Sequence, residues 1–305
     1  MNYKIGLYGD DNQTDLILVN PVGDICARRT AIGVNPDTIL DQDTIRSVLI
    51  EKLEELAAHA KAEQADAKIA HTALCLPGSL SFWEGIVARL HLFSPASAHP
   101  NYIPALEQAT RGLPGILLNC DPLRALVAGR GKDDSIHCAG NLGCRMSDPG
   151  SDYDLGRQAL TCTLAELQGW GEQSELGKFV CDSMKVSDAT LLSIKLDGSA
   201  VSHQQVANLA AHVLKLETEG DDIGAAIIHD TVCELAYLAE TVREKLFTDK
   251  DTPPIGLRGA ILQTDIARQA LTEILGADSK FVAITDAPTE GLRLMLNRLS
   301  SKTQP

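Results

Sequence analysis

No uninterrupted apolar run in the sequence approaches the ~18 residues that a membrane-spanning helix needs, so no membrane partner is expected. The start, Met-Asn-Tyr-Lys-Ile-Gly, lacks a basic segment followed by a long apolar stretch. No secretory leader is therefore expected, and the expected location is cytoplasmic. Positive charge is in short supply: 27 Lys and Arg stand against 41 Asp and Glu, a net charge of −14. Such a surface repels nucleic acid and anionic lipid, so neither is an expected partner. Aromatic residues make up only 4%, so packing must rely on Leu, Ile, Val and Ala. There is no Cys-x-x-Cys. The eight cysteines, Cys26, Cys75, Cys120, Cys138, Cys144, Cys162, Cys181 and Cys233, are scattered, several of them within apolar runs. They read as mostly buried free thiols. His137, Cys138 and Cys144 lie close together in a spacing that fits no zinc pattern, and no metal ligands are assigned.

What is present is enough for a folded α/β protein. Hydrophobic residues make up 44% of 305, a length that suits two modest domains or one large one. Apolar runs at 3–8, 15–20 and 25–29, separated by turn residues, predict a β-meander. Ile45, Val48, Leu49, Leu53 and Leu56 form a helical stripe within 43–62. Residues 68–76, closed by Pro77-Gly78, predict a buried strand, and a helix is expected at 80–92. "GILLNC" at 115–120 predicts another strand. Asp121-Pro122 has the form of a helix start, Asp at the cap and Pro at the first turn, and a helix is expected to about Ala128. "DSIHCAGNLG" at 134–143 reads as a strand entering a glycine turn. Long periodic helices follow at 203–217 and 222–247, then two short strands around a helix at 264–275, and a last helix at 289–299.

The order of these pieces resembles the N-acetylglucosamine kinase and BadF/BadG/BcrA/BcrD-type ATPase group, within the actin-like ATPase (ASKHA, ribonuclease H-like) fold of hexokinase and actin. The resemblance spans most of the chain. It implies an α/β fold of two related domains, with ATP and Mg²⁺ as cofactors and an amino sugar as phosphoryl acceptor. The expected division is 1–131 together with a C-terminal helix at 288–303, and 132–287. Relatives are often dimers, and the helices at 203–247 offer an apolar face for a homodimer.

The motifs that should carry the chemistry are altered. Family members read hydrophobic-Gly-hydrophobic-Asp-Gly-Gly-Gly-Thr-Lys-Thr-Asp; here the string is Gly6-Leu7-Tyr8-Gly9-Asp10-Asp11-Asn12-Gln13-Thr14-Asp15. Tyr8 falls where the family has an acid that helps place Mg²⁺. Asp10 and Asp11 replace phosphate-cradling glycines, and Asn12 replaces the Thr. Glycine lets backbone N–H groups approach phosphate oxygens. A carboxylate ~5 Å from a phosphate charge costs roughly 3 kcal/mol at an effective dielectric of about 20. Two would offset most of the ~8 kcal/mol of a micromolar complex. The same aspartates are also good hairpin-turn residues.

Asn35, in "AIGVN", matches the family's sugar-contacting Asn, and Asp121 matches its catalytic base, a carboxylate able to take a proton from a sugar hydroxyl. Gly140-Asn141-Leu142-Gly143 matches Gly-Thr-Gly-Ser, the second phosphate turn, with Leu142 in place of a glycine. The family hairpin between that turn and Gly-Asp-Glu-Gly-Ser is missing on this alignment, and Pro149 falls at the sugar-binding Glu. The second domain's sheet, starting near Ser135, is therefore expected to be trimmed by one hairpin. Gly259-Ala260 matches the Gly-Gly turn at the adenosine site. The readings that follow are an ATP-dependent amino-sugar kinase, a catalytically inactive pseudokinase kept as a binding or regulatory module, and an ATPase with a rearranged nucleotide site.

Overall fold

The computed structural model describes residues 1–9, 13–34, 42–90, 94–144, 148–197, 201–248 and 250–302. Its internal contacts divide the chain into two units, Met1–Leu113 with Thr285–Pro305, and Pro114–Ile284. Among the described residues each unit holds one five-stranded sheet.

The first unit opens with β1 (Asn2–Gly9), β2 (Gln13–Val19) and β3 (Ile25–Ile32), the expected meander. It continues through α1 (Gln42–Glu63), β4 (Lys68–Cys75), α2 (Leu80–Leu90), β5 (Ala96–Ala98) and α3 (Ile103–Thr110). The strand order is β3-β2-β1-β4-β5, antiparallel on the meander side of β1 and parallel on the other. The period-two alternation of β1 sends Tyr3, Ile5 and Leu7 into one core with the α1 stripe of Ile45, Leu49, Leu53 and Leu56.

The second unit begins with β6 (Gly115–Cys120), β7 (Ala125–Arg130) and β8 (Ile136–Gly140), a second antiparallel meander. A helical layer follows: α4 (Asp152–Leu167), α5 (Glu175–Met184), α6 (Ala189–Asp197), α7 (His203–Ala207), α8 (Ala210–Thr218) and α9 (Asp222–Leu246). Then come β9 (Ile255–Arg258), α10 (Asp265–Leu275) and β10 (Phe281–Ala283). The order β10-β9-β6-β7-β8 repeats the recipe of the first sheet, with the unit's first strand at the centre. The chain ends in α11 (Pro288–Lys302), which returns to the first unit and lays Leu292 and Leu296 against Gly6 of β1.

Three expectations are corrected here. The helix expected after Asp121 is a strand. Residues 125–130 are all buried and pair with β6 on one side and β8 on the other, so sheet burial outweighs the local Asp-Pro signal. Gly129 permits this, because a Cβ there would lie 2.6 Å from Leu246 and 2.7 Å from Val242 of α9. The division does not fall at 131: β6 and β7 belong to the second sheet, and the units part after Leu113. Nor is a hairpin missing, since β6–β7 is that hairpin and the second sheet has its five strands. Within 203–247, Val213, Ile228, Val232 and Leu235 are buried in this unit's own core, while Tyr237 is exposed. Cys75 and Cys120 are buried and the other six cysteines half-buried. No helix among the described residues is long and apolar enough to cross a membrane.

One cluster in the first sheet couples folding to pH. His71 Nε2 and His99 Nε2 both lie within hydrogen-bond distance of Ser97 Oγ, at 2.8 and 2.7 Å. Burial, reinforced by His71, pushes His99 down to about 4. Burial and the nearby Lys4 lower His71 as well. The unfolded chain therefore takes up a proton that the folded chain refuses once the pH drops below about 6.5. Stability is full above that value and falls as the pH moves toward about 4, by up to roughly 3 kcal/mol for His99 alone. Denaturant melts across this window should show that loss, and His99→Gln should flatten it. Equal slopes for the two proteins would assign the acid sensitivity elsewhere.

Candidate functional site

The β1–β2 turn is the first place to look for a phosphate grip. Register pairs Tyr8 with Asp15 and Gly9 with Thr14. Gly9 is buried, and a Cβ on it would come within 2.9 Å of Leu76 Cδ2 and 3.0 Å of Thr14 Oγ1. Thr14 is fully buried and its hydroxyl has no hydrogen-bond partner among the described residues. Tyr8 is half-buried and offers a phenol where the resemblance calls for a metal-placing carboxylate. Asp10, Asp11, Asn12 and Asn35 lie outside the described residues.

In the second unit the counterpart of that turn, by strand order, is Asp121–Arg124 between β6 and β7. Asp121 thus sits in a β-turn, not at a strand-to-helix junction. Its N–H donates to Arg124 O at 2.8 Å, a cross-strand bond that extends the β6–β7 pairing beyond Cys120 and Ala125. Its carboxylate accepts from Asn119 Nδ2 at 2.7 Å. Pro122 has no N–H, and its carbonyl accepts from Tyr153 N at 2.9 Å, tying the turn to α4. Of the four turn residues, one has no donor and another uses its donor inside the turn. Asn119 is buried and its Oδ1 is left without a partner. Asp152, at the start of α4, is pushed above the usual carboxylate range by burial and by the charge of Asp121. An incoming phosphate would meet acid here.

The segment expected to be the second phosphate turn lies one connection later, after β8. Gly140 and Asn141 take positive φ, +80° and +62°, and Asn141 N–H donates back to Ala125 O at 2.9 Å. The next two N–H groups point at a carboxylate. Leu142 N donates to Asp148 Oδ1 and Gly143 N to Asp148 Oδ2, each at 3.0 Å. Asp148 is 3% exposed. Burial raises its pKa, opposed by the N–H groups of Leu142, Gly143 and Ala125 and by the Arg124 charge. A pair of adjacent N–H groups is the usual cradle for an anion. Here the chain supplies that anion itself. The resemblance matches Ser147-Asp148-Pro149-Gly150-Ser151 to the family's Gly-Asp-Glu-Gly-Ser, so Asp148 falls at that motif's Asp, but the sequence alone gave it no separate role.

Gly259 and Ala260 follow β9. Gly259 holds φ at +119°, and a Cβ on it would lie 2.5 Å from Cys120 O. This glycine is required by the close approach of two backbones at the end of β6 and β9. Ala260 caps a short 3₁₀ turn, Ile261–Gln263. The described residues bring Asn119, Asp121, Arg124, Asp148, Asp152 and Gly259 to one end of the second sheet, and no group of three or more His, Cys, Asp or Glu among them could hold a metal ion.

Two substitutions test the geometry. Gly259→Ala should cost on the order of 2–3 kcal/mol in equilibrium unfolding, from backbone strain and the Cys120 clash. Asp148→Ala should leave two N–H groups without their acceptor, cost about 1–3 kcal/mol, and speed amide exchange at Leu142 and Gly143. Unchanged exchange at those two amides would mean the carboxylate does not hold them.

No protein-family profile matches the chain. Among curated proteins it is 26% identical over 157 residues to the N-acetyl-D-glucosamine kinase of Dictyostelium discoideum, covering 51% of this chain and 49% of that one. It is 27% identical over 122 residues to the N-acetylmuramic acid/N-acetylglucosamine kinase of Clostridium acetobutylicum, covering 40% of each. The matched segments thus span half or less of these relatives. Among solved structures, an N-acetylglucosamine kinase candidate from Chromobacterium violaceum superposes with a TM-score of 0.72 at 21% identity, over 97% of this chain and 99% of that one. At this identity the superposition establishes the fold.

Proposed function

From a chain that is N-acetylglucosamine kinase-like and has the actin-like ATPase fold, we propose a pseudokinase: a protein that keeps the sugar-kinase frame, has lost phosphoryl transfer, and serves as a binding or regulatory module. Phosphoryl transfer needs a metal holder and donors for the phosphates at the same time. The observation that carries the reading is the β6–β7 turn, the counterpart by strand order of the β1–β2 turn, where Pro122 has no N–H and the Asp121 N–H is taken by Arg124 O. In the first unit, Tyr8 in place of an acid and the Asp10-Asp11 pair in place of glycines point the same way. Function follows the site and not the fold.

The second reading is an ATP- and Mg²⁺-dependent amino-sugar kinase, favoured by the names of the curated relatives. In it Asn35 contacts the sugar and Asp121 is the base. Under the pseudokinase reading Asp121 is a turn residue, and Asp121→Ala lowers stability without an activity to lose.

Calorimetry with ATP and Mg²⁺, repeated with Mn²⁺, separates the two. The proposal expects no binding up to about millimolar nucleotide; micromolar binding, about −8 kcal/mol, would contradict it. The double variant Asp10→Gly with Asp11→Gly should still show no phosphorylation of N-acetylglucosamine, because Tyr8 and Asp148 remain. Turnover in that variant would overturn the proposal.

A further inference from the structure

We propose that the first unit carries a separate pocket for a small aliphatic oxo-carboxylate, at the end of the sheet opposite the β1–β2 turn. The pocket lies between the last turns of α1 and the starts of β4 and β5, and it has a volume of about 420 Å³. That is within the usual range for small-molecule sites. Its walls are apolar, formed by Ile5, Leu53, Ile69 and Pro95.

Two features give it a chemical preference. Inside it, Thr72 Oγ1 and Ser94 Oγ lie 2.7 Å apart, and these residues are only 3% and 6% exposed. Either oxygen can donate to the other, so the pair holds two hydroxyl hydrogens and uses one. Among the described residues the remaining O–H has no acceptor, a cost that a ligand oxygen would remove. Lys61 and Lys68 also line the pocket, and both are exposed. Neither ammonium is within ion-pair distance of a carboxylate among the described residues, although the chain carries 41 acidic side chains. The acids on the same connection are engaged elsewhere. Glu63 lies 3.1 Å from Tyr3 OH and 3.4 Å from His59, and Asp66 lies 3.4 Å from the N-terminal ammonium. An apolar chamber with two unpaired cations and one unused O–H donor matches a ligand with a carboxylate, a short hydrocarbon chain and one oxygen on that chain.

The probe is hexanoate carrying a ketone on its penultimate carbon, titrated calorimetrically into the intact chain, with plain hexanoate alongside. The oxo acid should bind, and hexanoate more weakly. Lys61→Ala with Lys68→Ala should weaken both acids about tenfold. Thr72→Val with Ser94→Ala should remove the preference for the oxo acid. Ala57→Phe, which fills the chamber from α1, should abolish binding; melting curves check that each variant folds. No binding up to millimolar acid would overturn the proposal. So would heats that are the same in the wild type and in the lysine and Ala57→Phe variants. The test uses no nucleotide or sugar and is independent of the pseudokinase reading.

Discussion

Six register pairs, from Gly115↔Arg130 to Cys120↔Ala125, hold β6 and β7 together, and every residue of both strands is buried. A buried strand must have its N–H and C=O groups paired on both sides. β6 meets that condition with β7 and β9, and β7 with β6 and β8. This pairing fixes the boundary between the units at Leu113, makes Asp121–Arg124 a turn, and brings Cys120 against Gly259. The remainder of the second unit is built on it, with α9 laid across β7 at Gly129.

The same pairing shapes the electrostatics at that end of the sheet. A turn that cradles phosphate needs N–H groups without internal acceptors and a neighbourhood that tolerates negative charge. Here Tyr153 and Arg124 lock the turn from two sides. Burial, and after it the charge of Asp121, raises Asp152 above the usual carboxylate range. Asp148 fills the nearest pair of N–H groups at the expense of its own desolvation. The N–H groups of Leu142 and Gly143 thereby hold the loop to Asp148.

Much of the frame could be read from the residues. The β1–β3 meander, the α1 stripe of Ile45, Leu49, Leu53 and Leu56, and the short strands and helix at the end are local patterns with a clear period. The resemblance added the actin-like ATPase fold. The misreading began at Asp121-Pro122, a pair that serves a helix start and a β-turn equally well. Residues 125–130, Ala-Leu-Val-Ala-Gly-Arg, have no decisive period, and only tertiary pairing makes them a strand. From that one error came the displaced boundary and the supposed missing hairpin. The altered composition of the phosphate motifs was visible in Tyr8, Asp10, Asp11 and Leu142. The role of Asp148 was not, because it depends on a loop folding back over several residues to present two N–H groups to one carboxylate.

The measurement that bears most directly on this account is an amide NMR titration of the isotope-labelled protein with a non-hydrolysable ATP analogue and Mg²⁺, followed at Leu123, Arg124, Leu142 and Gly143. The account predicts that all four resonances stay in place up to millimolar nucleotide. Saturable shifts at Leu142 and Gly143, with the Asp148 carboxylate displaced from them, would contradict it and restore the kinase reading.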